Sequence, residues 1–385
     1  MMKEIYADHA ATTFPRPPEV VENMVHYLRD IGCSPGRGVY HRSLDAARMV
    51  YEARGLLARF LAVPEPEQII FTPNVTTSLN LLFKGLLAEG DHVLISSMEH
   101  NAVVRPLSRL ARESNVLVEQ LACDPDGALD LLKLRRALRP KTRLVVLTHA
   151  SNVTGTILPV YEAGEMLAGT DTFFCVDAAQ TAGTEEVNFA DLQCDFLAFT
   201  GHKGLLGPPG IGGFCISQRA AAVTRPLVEG GTGSRSEDEY QPDFLPDKFE
   251  SGTQNMPGIA GLAAGVRMIS DIGLAAIRKE RASLMEKLLL GLAEISGVTI
   301  YGTKEAAKSV HTVSVNMAGV DCGDLSFMLD QAYGIQTRAG LHCAPLAHKT
   351  IGTFPQGTVR FSLGYQNTAD DVAAILAAMR EISAF

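Results

Sequence analysis

The feature that most constrains this chain is a unit repeated between about residues 44 and 217: a short apolar run of strand length, then a stretch with helical periodicity. The runs are QIIFT (68–72), HVLIS (92–96), RLVVLT (143–148), TFFCV (172–176), DFLAFT (195–200) and GGFCIS (212–217). Between the first two, Leu79, Leu82, Phe83, Leu86 and Leu87 recur at helical spacing. Apolar runs this short, set between helices, read as a largely parallel sheet covered on both faces, so the fold class is α/β. In such sheets ligands bind beyond the carboxyl ends of the strands. The residues just after each run are therefore where chemistry is expected.

The chain has 385 residues, 46% of them hydrophobic, enough for one large domain and a smaller one. The expected division is 15–266 for the larger, and 1–14 with 267–385 for the smaller. The segment GGTGSRSEDEYQPDFLPDKFESGTQNMPG (230–258) reads as a long loop of the functional or mobile kind. A helical stretch follows over 259–296, then alternating strand and helix. The last helix is expected to start at Thr368, with Asp371 in capping-box position. A net charge of −9 without any Lys/Arg-rich block argues against nucleic acid or a membrane surface as partner. The start, MMKEIYADHAATT, lacks the apolar core of a signal peptide, and no run approaches the roughly 20 residues of a membrane span. Seven scattered cysteines without a CxxC pair suggest free thiols in a reducing cytoplasm. Cys343 and His348 have no second pair of ligands nearby, so no metal is expected.

Lys203 follows a buried run inside DFLAFTGHKGLLGPPGIGG. It reads either as a surface lysine or as a Schiff-base lysine, which needs a rigid, desolvated seat to keep its amine neutral; the surrounding glycines permit close backbone approach. Asp177 ends TFFCVD, where an acid is costly to bury without a partner. It reads as a helix cap or, if a pyridine ring lay there, as the group holding the ring nitrogen protonated, with Gln180 reaching the ring oxygen. In NVTTSLNLLF, one of Thr76, Thr77 and Ser78 serves as an N-cap, and the set makes a phosphate cradle. His100 follows HVLISSME and Asn152 follows RLVVLTHAS. No Walker motif or GxGxxG follows a strand, so ATP and NAD are poor candidates. Functional-looking groups after one strand after another point to one site at one sheet edge.

The stretches YADHAATT (6–13), RGVYH (37–41), TTSLN (76–80), MEHNA (98–102), SNVTG (151–155), VDAAQ (176–180), GHKGLLGP (201–208), FESGTQN (249–255), RAGLHCAP (338–345) and VRFSLGYQNT (359–368), in this order, resemble the class V aminotransferase family of pyridoxal-phosphate (PLP) enzymes. Within it the chain is most similar to the cysteine desulfurases and selenocysteine lyases. The resemblance implies the PLP-dependent transferase fold of aspartate aminotransferase, with a mostly parallel sheet and a smaller α+β C-terminal domain, in a homodimer with sites between subunits. It assigns Lys203 to the covalent attachment of the cofactor and Asp177 to the pyridine nitrogen. His100 would stack on the ring and help move protons, and Gln180 would touch the ring oxygen. Thr76, Thr77, Thr200 and His202 would hold the phosphate, joined by Thr253 from the other subunit. Asn152, Arg338 and Arg360 would handle the substrate carboxylate, where a guanidinium forms a two-pronged pair.

Cys343 separates desulfurases from aminotransferases. Its setting, RAGLHCAP, resembles the second group of desulfurases, whose cysteine sits on a short ordered segment. Leu341 departs from that group, where histidine is common, and DHAATT leans toward the first group. The implied reaction converts L-cysteine to L-alanine, leaving a persulfide on Cys343 that passes to an acceptor protein; His342, Arg338 and His100 are expected to favour the thiolate. The rival readings are a selenocysteine lyase acting on L-selenocysteine, a class V aminotransferase, and a sulfur-transfer scaffold nearly silent without its partner.

Overall fold

The computed structural model describes residues 3–36 and 38–384. Arg37 of the RGVYH stretch lies outside the described residues. In chain order the strands are β1 (Ile5–Tyr6), β2 (Ile69–Thr72), β3 (His92–Ser96), β4 (Leu117–Leu121), β5 (Thr142–Thr148), β6 (Phe173–Asp177), β7 (Phe196–Thr200), β8 (Gly212–Ile216), β9 (Val298–Tyr301), β10 (Thr312–Met317), β11 (Ile335–Gln336), β12 (Arg338–Gly340) and β13 (Thr358–Ser362).

A seven-stranded sheet takes the order β2-β8-β7-β6-β5-β3-β4. The strands from β4 to β7 pair in parallel, and β8 runs antiparallel to both of its neighbours, so β2 points the same way as the parallel set. Alternation of side chains along a strand explains the two cores that cover this sheet. Leu94, Val145, Leu147, Phe174, Val176 and Leu197 face one cluster, while Val93, Ile95, Leu144, Val146, Phe173 and Phe196 face the other. Both sets are apolar because both faces are buried, which is why these strands read as continuous apolar runs. Edge strand β4, LVEQL, has an exposed Leu117 and only one buried residue, so its sequence lacks that signature.

A four-stranded antiparallel sheet, β12-β13-β10-β9, organises the C-terminal part, and β1 pairs in parallel with β11. Ile5 and Ala7 of the N-terminal arm enter the same core as Leu288, Val315, Phe361 and Ile375. The helical stretch after the loop is two helices, Met256–Ile272 and Leu274–Ala293, bent by 80° at Gly273, whose φ of +87° favours glycine. Residue 266 falls inside the first of them. The last helix, Ala369–Ser383, opens with the expected box: Thr368 Oγ1 accepts from Asp371 N (3.3 Å) and Asp371 Oδ2 accepts from Thr368 N (3.0 Å). Among the described residues no single helix is long and apolar enough to cross a membrane.

Residues 224–255 contain no helix or strand. Their end is tied down by Glu250, which takes a two-pronged pair from Arg54 (2.8 Å for each bond) and accepts from Phe71 N of β2 (2.7 Å). Both side chains are buried, so loss of either partner strands a charge, at a cost of about 3–5 kcal/mol.

Candidate active site

Every strand of the large sheet except β8 ends at the same edge, and the residues that follow converge there. The lysine turn after β7 is seated backbone against backbone: a Cβ on Gly204 would meet Ala182 O at 2.5 Å. The N-terminal arm closes over it, with Thr13 N donating to His202 O (2.9 Å) and Thr13 Oγ1 to Lys203 O (2.9 Å). Lys203 Nζ makes no hydrogen bond among the described residues. Burial pushes its amine down to about 8; Asp177 opposes this, and Arg360 and Arg338 add to it. Lys203 is half-buried as a whole residue, with its amine on the enclosed side of the turn.

Asp177 ends β6, opposite Thr148 of β5 and Ala198 of β7. It is buried, one oxygen accepts from Ala179 N (2.9 Å), and burial raises its pKa against that bond and the charge of Lys203. Gln180 donates to Ala10 O of the arm (3.1 Å). His202 Nδ1 meets Thr12 Oγ1 (3.1 Å), and burial, with Lys203 beside it, pushes the imidazole down to about 4.

His100 caps the helix Asn101–Ser114: its Nδ1 accepts from Ala102 N (3.0 Å), which leaves the proton on Nε2. Burial, with Lys203 next, lowers its pKa to about 4, so the ring is neutral at pH 7. Helix Val75–Leu86 is capped by Asn74, whose Oδ1 accepts from Thr77 N (2.9 Å), and not by one of the hydroxyls expected to do so. Thr77 Oγ1 turns to the same oxygen (3.2 Å) and Ser78 bonds Thr72 (2.8 Å), which leaves Thr76 exposed and free at the helix start. Thr200 Oγ1 is buried and has no partner among the described residues.

Arg360, on β13, is almost wholly buried. It donates to Asn152 O (3.1 Å) and to Asp8 Oδ1 (2.5 Å), while Asn152 Nδ2 donates to His342 O (2.7 Å). Cys343 O accepts from Asn101 N, beside His100 (2.8 Å). The cysteine segment is thus pinned to two strand-end loops of the large sheet. Cys343 is exposed and sits with His342 in left-handed backbone, φ +57° and +48°, a conformation that costs a non-glycine residue and persists only where its surroundings enforce it. Arg338 is exposed nearby on β12.

His342 does not supply the positive charge expected of it. Its Nδ1 meets His348 Nε2 (3.2 Å) and its Nε2 faces Arg338 O (3.1 Å); burial first, then Arg360, drives its pKa far below the usual value. With His100 also neutral, Arg338 is the remaining cation of the three. Within one chain Thr253 is exposed and lines a cleft with Thr77, apart from Thr200 and His202. Among the described residues no group of three or more His, Cys, Asp or Glu is arranged to hold a metal.

Two acids escaped the sequence reading. Asp8 holds Arg360, although YADHAATT was noted as a stretch. Glu99, inside MEHNA, is fully buried: its Oε1 accepts from Ser96 Oγ (2.5 Å) and Thr148 N (2.8 Å), its Oε2 has no partner among the described residues, and burial pushes its pKa up to about 8. An acid directly before His100 and three residues past an apolar strand was the available signal.

The fold and this edge of converging side chains define a class of enzyme scaffold, and the match to its family model is direct. The chain belongs to the class-V aminotransferase family, whose model matches residues 5–375. It is 36% identical over 383 residues to a probable cysteine desulfurase of Methanothermobacter thermautotrophicus, covering 98% of this chain and 94% of that protein. Its structure resembles the apo structure of a cysteine desulfurase from Thermococcus onnurineus, with a TM-score of 0.94 and 36% identity over 99% of this chain and 95% of that one. An Escherichia coli cysteine desulfurase in an S-sulfonic acid form gives a TM-score of 0.88 at 28% identity, over 98% of this chain and 94% of that one.

Proposed function

We propose that the chain is a PLP-dependent cysteine desulfurase that takes sulfur from L-cysteine, releases L-alanine and carries the sulfur on Cys343. The observation that carries this is the exposed cysteine, held in left-handed backbone and tied by hydrogen bonds to the loops bearing His100 and Asn152. A class V transaminase has no need of a solvent-facing nucleophile in that position.

The residues fit pyridoxal phosphate. Lys203 offers an amine whose pKa is lowered to about 8, Asp177 a buried carboxyl, and Thr200 a buried hydroxyl without a partner among the described residues, with Thr76 exposed at a helix N-terminus. Lys203 and Asp177 would hold the two ends of the ring system, and Thr76, Thr77, Thr200 and His202 the phosphate, with Thr253 joining from a second subunit. When bound, the cofactor supplies an electron sink for the carbon that loses its proton.

The rest of the chemistry belongs to this chain. Arg338 and Arg360 bind the substrate carboxylate; Arg360 keeps N–H groups beyond those given to Asp8 and Asn152, since a guanidinium has five. Lys203, with an amine near pKa 8, takes the α-proton and returns it. His100, neutral with its proton on Nε2, donates to the substrate. The Cys343 sulfur attacks the substrate sulfur: an S–S bond forms, the C–S pair stays with carbon, and a proton there completes alanine. The same reading places two sites in a homodimer, residues 15–266 as the larger domain against 1–14 with 267–385, and the free cysteines in a reducing cytoplasm.

The test is alanine release from cysteine by the holoenzyme, with the intact mass of the protein read in the same sample. Alanine with a gain of one sulfur atom on Cys343 is expected. A keto acid in place of alanine indicates a transaminase, and alanine from selenocysteine alone indicates a selenocysteine lyase.

A further inference from the structure

Cys343 opens onto a cleft of ≈350 Å³ between the helices Val75–Leu86 and Asn101–Ser114. Its charged lining is Lys84, Arg105 and Arg109, with no carboxylate, in a chain whose net charge is −9. Arg109 pairs with Glu113 (2.6 Å), but Lys84 and Arg105 are in no ion pair among the described residues. A cationic cleft beside an exposed thiol, in a chain of net negative charge, selects for an anionic visitor.

We infer that this cleft seats an acidic segment of the protein that accepts sulfur from Cys343. The inference rests on the sulfur-transfer reading above. Lys84 lies about 12 Å of helix beyond Thr76, farther than a small free thiol spans; about four extended residues of polypeptide cover that length. In the transfer the acceptor thiolate attacks the outer sulfur of the Cys343 persulfide. The new S–S bond forms on the acceptor, the old one breaks, Cys343 leaves as thiolate, and the proton stays on the transferred sulfur. No oxidant or reductant enters.

The probe is a pair of single-cysteine peptides, identical except that Asp and Glu flank the cysteine in one and Lys in the other. In the first arm both are presented as activated disulfides, and exchange with Cys343 of the holoenzyme is followed, with Cys343→Ser as blank. This arm reads the cleft whether or not sulfur transfer occurs. The acidic peptide is expected to react about tenfold faster at low salt. The preference is expected to vanish near 1 M salt, where the Debye length is about 3 Å. It is expected to reverse in the Lys84→Glu/Arg105→Glu double variant, while alanine release with dithiothreitol stays unchanged. Equal rates for the two peptides, or a preference untouched by the double variant, overturns the inference. So does a double variant that sediments differently from the parent, which would assign the cleft to contact with a second copy. In the second arm the enzyme is first loaded with cysteine and the free peptides are added. Failure to load sinks the proposed function, and the first arm still decides the charge preference of the cleft.

Discussion

The buried amine of Lys203 makes a quantitative prediction about cofactor capture. Only a neutral amine attacks an aldehyde, so the capture rate of the apo-protein follows the neutral fraction of Lys203. With its pKa lowered to about 8, that fraction is about 1% at pH 6, 9% at pH 7 and 91% at pH 9. Capture should therefore rise about ninetyfold between pH 6 and 9 and flatten above. A lysine at about 10.4 would gain nearly a thousandfold over the same range and keep rising. Asp177 opposes the lowering, so Asp177→Asn should move the midpoint to lower pH. The assay is the growth of visible absorbance after mixing with pyridoxal phosphate, then borohydride trapping and peptide mapping. A rate that climbs without a plateau to pH 10, or a label on another lysine, refutes the reasoning.

Further expectations follow from the same geometry. Cys343→Ser should keep its cofactor absorbance yet lose alanine release by at least about a hundredfold, because a hydroxyl is a poor nucleophile toward sulfur; near-parental turnover would make Cys343 a bystander. Arg54→Ala should lower unfolding free energy by about 3–5 kcal/mol in denaturant titrations, by stranding Glu250; a loss under about 1 kcal/mol would mean the pair is hydrated. Sedimentation of the holoenzyme should show a two-fold dimer, and a fully active monomer would exclude Thr253 as a shared phosphate ligand. Glu99, raised to about 8, binds its proton more tightly folded than unfolded, so its contribution is present below about pH 4.5 and lost as pH rises toward 8, at most about 1.4 kcal/mol per unit. Glu99→Gln should flatten that slope in thermal melts from pH 5 to 8; an unchanged slope would show that Glu99 is ionised throughout.

The large sheet was legible because its strands are buried on both faces. HVLIS matches β3 residue for residue, and RLVVLT, TFFCV, DFLAFT and GGFCIS fall within one residue of the strands at either end. Parallel strand direction then puts the residues after β3, β5, β6 and β7 at one edge, which is why a one-dimensional reading could group His100, Asn152, Asp177 and Lys203. Strand β4 was not legible, since an edge strand buries little and LVEQL carries two polar residues in five. The helix from 259 to 296 read as one because the apolar pattern crosses Gly273; the 80° bend comes from one backbone angle, which leaves no mark on periodicity.

What stayed hidden is the role of contacts between distant segments. Asp8 and Arg360 are 352 positions apart, and their ion pair exists only because β13 brings Ser362 against the N-terminal arm, where Ser362 N donates to Ala7 O (2.7 Å). The same contact changes how Arg360 is understood. A guanidinium buried to this degree without Asp8 would carry an uncompensated charge, so Asp8 keeps it charged and oriented before any substrate arrives. His342 shows the reverse error. Adjacency in sequence suggested an imidazolium beside the thiol, but left-handed backbone at residues 342 and 343 separates the two side chains: the imidazole goes into a buried pair with His348, and the sulfur goes to solvent. The turn that exposes the nucleophile is thus the one that removes its nearest base. The cations left on the thiol's side are then Lys84, Arg105 and Arg109 of the cleft onto which Cys343 opens.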